Sequence, residues 1–233
     1  MQTALARLTV VVPVGPGDTL PSLLRRQLAA LPREALLHVV CAGTTQADSI
    51  HALLHARPGP QWFCTAAERG RASQQNAGAA AATRDWLWFL HADAMLAADT
   101  LPALARFIDG DADALGYFDL HFLDDGPALM RLNAFGARLR SRWLGLPFGD
   151  QGLVLRRATF VRLGGFDPAL TCGEDHDLVW RARRAGVPLR AIGAPLYTSA
   201  RKYAERGWWT TTARHLRETW RQARRFSRVR ALR

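Results

Sequence analysis

The segment Trp86-Leu87-Trp88-Phe89-Leu90-His91-Ala92-Asp93 runs five apolar residues straight into a His-x-Asp pair. An apolar run of this length without alternation is a strand buried on both faces, as in a parallel sheet covered by helices. Ligands of such open sheets sit beyond the carboxyl ends of the strands. A carboxylate that follows the run directly therefore points into the crevice, where it can hold a divalent cation. On this segment alone Asp93 could equally open a turn or cap the helix expected over Thr100–Ile108.

The rest of the chain repeats the pattern. Leu8–Val14 is a β-branched run closed by Pro13, Gly15, Pro16 and Gly17, followed by a helical period over Leu20–Leu31. A strand at Leu36–Val40, a helix at Ala47–His55, a short strand at Trp62–Cys64 and a helix at Arg71–Thr83 lead to the Trp86–Leu90 strand. Alternation at these spacings predicts βαβ units and an α/β class with a mostly parallel central sheet. Beyond residue 110 the pattern changes. Leu115–Phe122 alternates as a strand, and Pro127–Leu144 reads as an amphipathic helix with Arg131, Arg138, Arg140 and Arg142 mostly off its apolar stripe. Gly149-Asp150-Gln151-Gly152 interrupts, before a short strand at Leu153–Leu155, a short helix at Ala158–Leu163 and a helix at Glu174–Ala185 closed by Gly186.

At 233 residues and 48% apolar, the chain can bury the core of one large domain. The first residues lack a secretory pattern, and no apolar run approaches the roughly 20 residues that span a bilayer, so any membrane contact is expected to be peripheral. Cys41, Cys64 and Cys172 are odd in number and widely spaced, which supports neither a disulfide framework nor a zinc site; a reducing cytoplasm is the expected setting. The net charge of +11 is concentrated at one end: residues 201–233 hold eleven Arg and Lys against two Glu, leaving 20 basic and 18 acidic residues before them. A nearly neutral body with a basic tail is not a protein basic all over, and no recognised nucleic-acid motif accompanies the charge. Specific nucleic-acid binding is not expected.

Three motifs carry chemistry. Gly70-Arg71-Ala72-Ser73-Gln74-Gln75-Asn76-Ala77-Gly78 opens an alanine-rich helix whose first turn offers backbone N–H groups and a guanidinium, a setting suited to a diphosphate or to tight packing on the sheet. Cys172-Gly173-Glu174-Asp175-His176-Asp177 sets three carboxylates at a helix start, where the macrodipole alone favours them. Asp177 and Arg181 are spaced to pair, which leaves Glu174 and Asp175 to face a cleft, where a carboxylate can act as general base toward a hydroxyl. Gly164-Gly165-Phe166 is a turn with an aromatic anchor. Gly15 and Gly17 do not complete a dinucleotide fingerprint, since Leu20 stands where its third glycine belongs. His51 and His55 lack the Glu that a helical zinc motif needs between them.

In this order, the Val10-Val11-Val12-Pro13 strand, His91-Ala92-Asp93 in place of Asp-x-Asp, Gly164-Gly165-Phe166 and Glu174-Asp175-x-Asp177-Leu178 resemble a family 2 glycosyltransferase of the GT-A fold. Gly70-Arg71-Ala72, Leu90-His91-Ala92-Asp93, Gly149-Asp150-Gln151-Gly152 and Thr198-Ser199-Ala200-Arg201 are similar to a compact bacterial subgroup of it. The resemblance implies a nucleotide-sugar donor, a glycan or lipid-linked acceptor, a divalent cation (Mn²⁺ or Mg²⁺) and inversion at the anomeric carbon. It implies a domain over 1–210, with a nucleotide-binding half (1–95) and an acceptor-side half (96–210), and a basic amphipathic segment over 211–233. Asp93 and His91 would hold the metal, with Mn²⁺ favoured if the imidazole ligates. Arg71, Asn76, Ala92 and Arg201 would meet the donor diphosphate, and Asp150, Gln151, Gly165 and Phe166 the acceptor side. Asp175 would be the base, with Glu174 orienting it or touching the acceptor. One position departs from the pattern: Cys41 stands where family members usually present an Asp that reads the nucleobase, so either another group reads the base or donor binding is weakened. The alternative is a non-catalytic nucleotide- or glycan-binding relative.

The tail combines Trp208, Trp209, Leu216, Trp220, Phe226, Val229 and Leu232 with arginines at helical spacing. Such a helix either lies on an anionic membrane or docks its apolar stripe on the body or a second subunit. The sequence does not set the oligomeric state.

Overall fold

All seven residues of β1 (Leu8–Val14) and all four of β4 (Trp86–Phe89) are buried, because helices cover both faces of the sheet they build. In this computed structural model, which describes residues 1–54 and 59–228 (side chains at 206, 215 and 225–228 excepted), β2 (Leu36–Cys41) and β3 (Gln61–Ala66) complete a parallel set in the order β3-β2-β1-β4. His55, Val229 and Leu232 lie outside the described residues, as does the side chain of Phe226.

The sheet continues through β7 (Val154–Arg156), β6 (Leu115–Phe122), β8 (Leu189–Thr198) and β5 (Ala94–Leu96) to eight strands. This second half is mixed: β7 runs antiparallel to β4 and β6, β8 parallel to β6, and β5 antiparallel to β8. The sequence pattern does not announce β5 or β8. β5 is three residues long, and β8 contains Gly193 at φ +78° and Pro195, opposite a register shift between Tyr117 and Asp119.

The helices are α1 (Gln2–Leu5), α2 (Ser22–Leu28), α3 (Thr44–Leu54), α4 (Arg71–Ala80), α5 (Thr100–Asp109), α6 (Met130–Trp143), α7 (Arg157–Arg162), α8 (Glu174–Arg184), α9 (Arg201–Arg206) and α10 (Trp208–Arg228). α2 is shorter than its apolar period because Pro21 occupies its N-cap. The small residues of α4 serve close packing: a Cβ at Gly78 would sit 2.5 Å from Val11 Cγ1. Gln74 anchors the same helix by donating from Nε2 to the carbonyls of Val14 at 2.8 Å and Val40 at 2.7 Å, at the ends of β1 and β2. Two apolar clusters, one built on Val10, Val12, Trp86 and Trp88, the other on Val11, Leu87, Phe89 and Phe166, occupy opposite faces of the sheet, as strand alternation requires.

α6 and α10 have the opposite polarity from ordinary covering helices. α6 buries Met130, Ala137 and Ser141 and exposes Leu132 and Phe135 (59% each) and Trp143 (82%). α10 buries Thr211 and packs the half-buried Trp208 against Met130, Ala200 and Tyr203, but it exposes Trp209, Leu216 and Trp220, which do not dock on the body. Among the described residues no helix is long and apolar enough to cross a membrane.

The turn at Gly149–Gln151 is a single 3₁₀ turn closed by Gly152 at φ +61°. A Cβ at Gly152 would lie 2.8 Å from both Leu196 Cδ2 and Trp88 Nε1. Gly152→Ala is expected to destabilise the protein by about 2 to 4 kcal/mol, combining left-handed strain with overpacking, measurable as a lower denaturation midpoint at unchanged slope.

Candidate active site

β4 ends at Phe89, and the chain turns through His91 and Asp93 before β5 begins, so both side chains emerge at the carboxyl end of the parallel strands. Asp93 does not cap α5; Asp99 occupies that position. His91 and Asp93 line a cavity of about 460 Å³ together with Arg71 from the first turn of α4, Asp150 from the 3₁₀ turn and Asp175 from the first turn of α8.

Gly149 holds this convergence together. Its N–H donates to Asp175 Oδ2 at 2.5 Å, and a Cβ there would stand 3.0 Å from that oxygen and 3.1 Å from His91 Nε2. A side chain here would have to push the carboxylate and the imidazole back by a few tenths of an ångström. Asp175 Oδ1 accepts from the His176 N–H at 2.9 Å. Burial alone would raise the Asp175 pKa, but His176, the Gly149 N–H and Arg71 hold it below the usual carboxylate value. Asp175 is therefore ionised at neutral pH. Burial and the nearby Arg71 push His91 down to about 4, so the imidazole is neutral, and its Nε2 is sealed from solvent without a hydrogen-bond partner.

Asp150 contrasts with Asp175. Its Oδ1 is sealed and unpartnered, and burial pushes its pKa up to about 6 against the partial relief of Arg140. The folded carboxyl thus binds its proton more tightly than the unfolded one. Its contribution to stability is complete below about pH 4 and is lost as pH rises through about 6. Asp150→Asn is accordingly expected to stabilise the ligand-free protein at about pH 7.5 by on the order of 2 kcal/mol, or about 4 to 8 °C, and to gain nothing near pH 4. Thermal unfolding at the two pH values checks this.

Glu174 is 3% exposed and turns away from the cavity toward Arg71, whose Nη1 lies 3.4 Å from its Oε1. Burial and the adjacent Asp175 raise its pKa. Asn76 is also turned from the cavity: it donates from Nδ2 to the Phe166 carbonyl at 2.8 Å and accepts from the Phe166 N–H at 2.9 Å. It clamps the Gly165-Phe166 turn, and Phe166 itself is core, stacked edge-on against Phe89 with ring centroids 4.8 Å apart. Asp177 pairs with Arg181 at 2.7 Å, and the same guanidinium reaches the carbonyls of Leu163 and Gly165. Gln151 is fully buried, donating to the Phe118 carbonyl and accepting from Ser141 Oγ and the Phe148 N–H. Ala92 and Gly165 are absent from the cavity lining, as is Arg201, which is exposed and donates to Ser199 Oγ at 3.1 Å. Lys202 lines the cavity instead.

Further cavity residues are visible only in three dimensions. Phe148 stacks on His176 with ring centroids 3.4 Å apart and both line the cavity, while Arg140, outside the lining, backs this pair 3.2 Å from the Phe148 centroid. Tyr203 from α9 and Arg214, Glu218 and Gln222 from the polar face of α10 also line the cavity, Gln222 beside His176 and Gly173. Cys41 is fully buried, its Sγ 3.8 Å from that of Cys64, and does not reach the cavity.

Among the described residues, no three His, Cys, Asp or Glu side chains converge as a closed metal cage. Asp93 and the unpartnered His91 Nε2 match a different kind of site. A hard divalent cation with few protein ligands would be completed by phosphate oxygens, and Arg71, which lines the same cavity, could meet such oxygens.

No curated relative matches the chain in sequence. In solved structures, the crystal structure of S. aureus TarS 1–349 aligns with a TM-score of 0.60 at 17% identity, over 82% of this chain and 60% of that one. Its complex with UDP-GlcNAc aligns at 0.61 and 19% identity, over 83% of this chain and 58% of that one. This chain spans only 36% of the longer TarS crystal structure, which aligns at 0.63 and 17% identity. The shared architecture is the GT-A fold. The chain is thus a GT-A-fold protein whose residues 52–166 match the model of glycosyl transferase family 2.

Proposed function

We propose that this chain is an inverting family 2 glycosyltransferase that moves a sugar from a nucleoside-diphosphate sugar to an acceptor hydroxyl. The observation that carries the reading is the meeting of Arg71, Asp93, His91 and the ionised Asp175 around one cavity at the carboxyl ends of the parallel strands. In this reading the acceptor oxygen forms its bond to the anomeric carbon as the bond from that carbon to the diphosphate oxygen breaks. Asp175 takes the acceptor proton, and the nucleoside diphosphate leaves on the opposite side. Asp93, with His91 beside it, would hold Mn²⁺ or Mg²⁺, which supplies positive charge to the departing diphosphate. Arg71 adds a fixed guanidinium to the same charge. The Gly149 N–H keeps Asp175 aimed, and the Phe148-His176 pair, backed by Arg140, offers an aromatic wall for a sugar ring.

The burial of Cys41 favours one narrower alternative, a binder that retains the cleft without turnover. Thermal unfolding with UDP, GDP, CDP and ADP, each with and without Mn²⁺, tests the donor site. UDP comes first because the TarS complex contains UDP-GlcNAc. One nucleotide at about 100 times its dissociation constant is expected to raise the midpoint by on the order of 5 to 10 °C in the presence of metal. No shift with any of the four would sink the donor reading. A shift without transfer to any glycan or lipid-linked acceptor would favour the binder.

A further inference from the structure

We infer that α6 and α10 together form a docking face for a bilayer surface carrying anionic headgroups. Each helix exposes the stripe that helices normally bury. On α6, Leu132, Phe135, Leu139 and Trp143 recur at intervals of three and four, on the face opposite Met130, Ala137 and Ser141. On α10, Trp209, Leu216 and Trp220 recur at seven and four, opposite the Arg214, Glu218 and Gln222 positions that line the cavity.

The two stripes belong to one surface. The helices begin side by side, where Asn133 Nδ2 donates to Thr212 Oγ1 at 3.1 Å. Both then lead toward the Phe148-His176 stack: Arg140 of α6 lies over Phe148, and Gln222 of α10 packs on Gly173. They therefore run in the same sense. At about 100° per residue, Asn133 and Thr212 fall on facing flanks of parallel helices, which turns both apolar stripes to the same side.

Charge selects the occupant. Arg131 and Arg138 beside the α6 stripe, and Arg217 and Arg221 beside the α10 stripe, are exposed. A second copy of this chain on the same face would set these arginines near arginines. Anionic headgroups instead complement the arginine rim while Trp and Leu side chains enter the acyl boundary.

Vesicle co-sedimentation of the full chain tests the face, using phosphatidylcholine vesicles with and without phosphatidylglycerol. The expected result is binding to the phosphatidylglycerol vesicles, weakened by salt and on phosphatidylcholine alone. The double variant Leu132→Ser, Phe135→Ser lies outside the basic tail and outside the cavity. It is expected to lower vesicle affinity at least about tenfold while leaving the midpoint of unfolding and the nucleotide-induced shift in place. Absence of binding to anionic vesicles overturns the inference. So does binding that the double variant leaves unchanged, which would assign it to the tail arginines alone. A dimer in light scattering that the double variant dissociates, without vesicle binding, would give the face to a second copy and overturn it equally.

Discussion

Asp175→Asn is expected to lower sugar transfer by on the order of 10²- to 10⁴-fold while leaving the nucleotide-induced rise in unfolding temperature intact. The substitution is nearly isosteric. Its side-chain oxygen can still accept from the Gly149 N–H that now bonds Asp175 Oδ2, so the turn before the 3₁₀ segment keeps its position. What disappears is the negative charge and the ability to take a proton. Because Asp175 is held below the ordinary carboxylate value, it is ionised across the neutral range in which transfer would be assayed, and the loss should not depend on pH there. Single-turnover rates with saturating donor separate the chemical step from binding. A variant that keeps more than about a tenth of the rate would move the base elsewhere. Asp150, the cavity carboxylate that burial raises to about 6, would be the next to test, and that value predicts a rate that rises through about pH 6.

The parallel half of the fold was legible because burial on both faces writes itself as apolar runs, and Leu8–Val14 and Trp86–Phe89 are such runs. β8 was not, since Gly193 and Pro195 break the pattern that its partner β6 keeps. At the site, the structure brings some of the expected side chains to the cavity and leaves others, Glu174 and Arg201 among them, outside its lining. Arg71, Asp93, Asp150 and Asp175 line it, whereas Gln74, Asn76 and Gln151 satisfy backbone groups inside the fold. An amide within a ligand-like motif can bond a ligand or a carbonyl, and spacing does not distinguish them. The Phe148-His176 wall and Arg140 behind it come from three separated segments, so no local pattern contains them. Periodicity located the apolar stripes of α6 and α10 but not their direction, because an outward stripe and an inward one have the same spacing.

Arg71 is where structural and chemical effects overlap most, and a pair of variants separates them. Arg71→Ala is expected to reduce kcat/KM by on the order of 10²- to 10³-fold, the range for losing a preorganised charge at a departing anion. It also removes the cation 3.4 Å from Glu174, whose side chain is 4% exposed, and so leaves a buried carboxylate without its charged partner. That second effect is a folding effect of about 1 to 3 kcal/mol, moderated as Glu174 takes up a proton. Glu174→Gln removes the charge that suffers from the loss. The double variant Arg71→Ala, Glu174→Gln should therefore recover most of the unfolding midpoint and none of the catalytic rate. The opposite outcome, recovery of rate together with stability, would mean that Arg71 acts through the placement of α8 and Asp175. The diphosphate charge would then have to be met by Lys202 or Arg214, the other Lys and Arg side chains of the cavity lining.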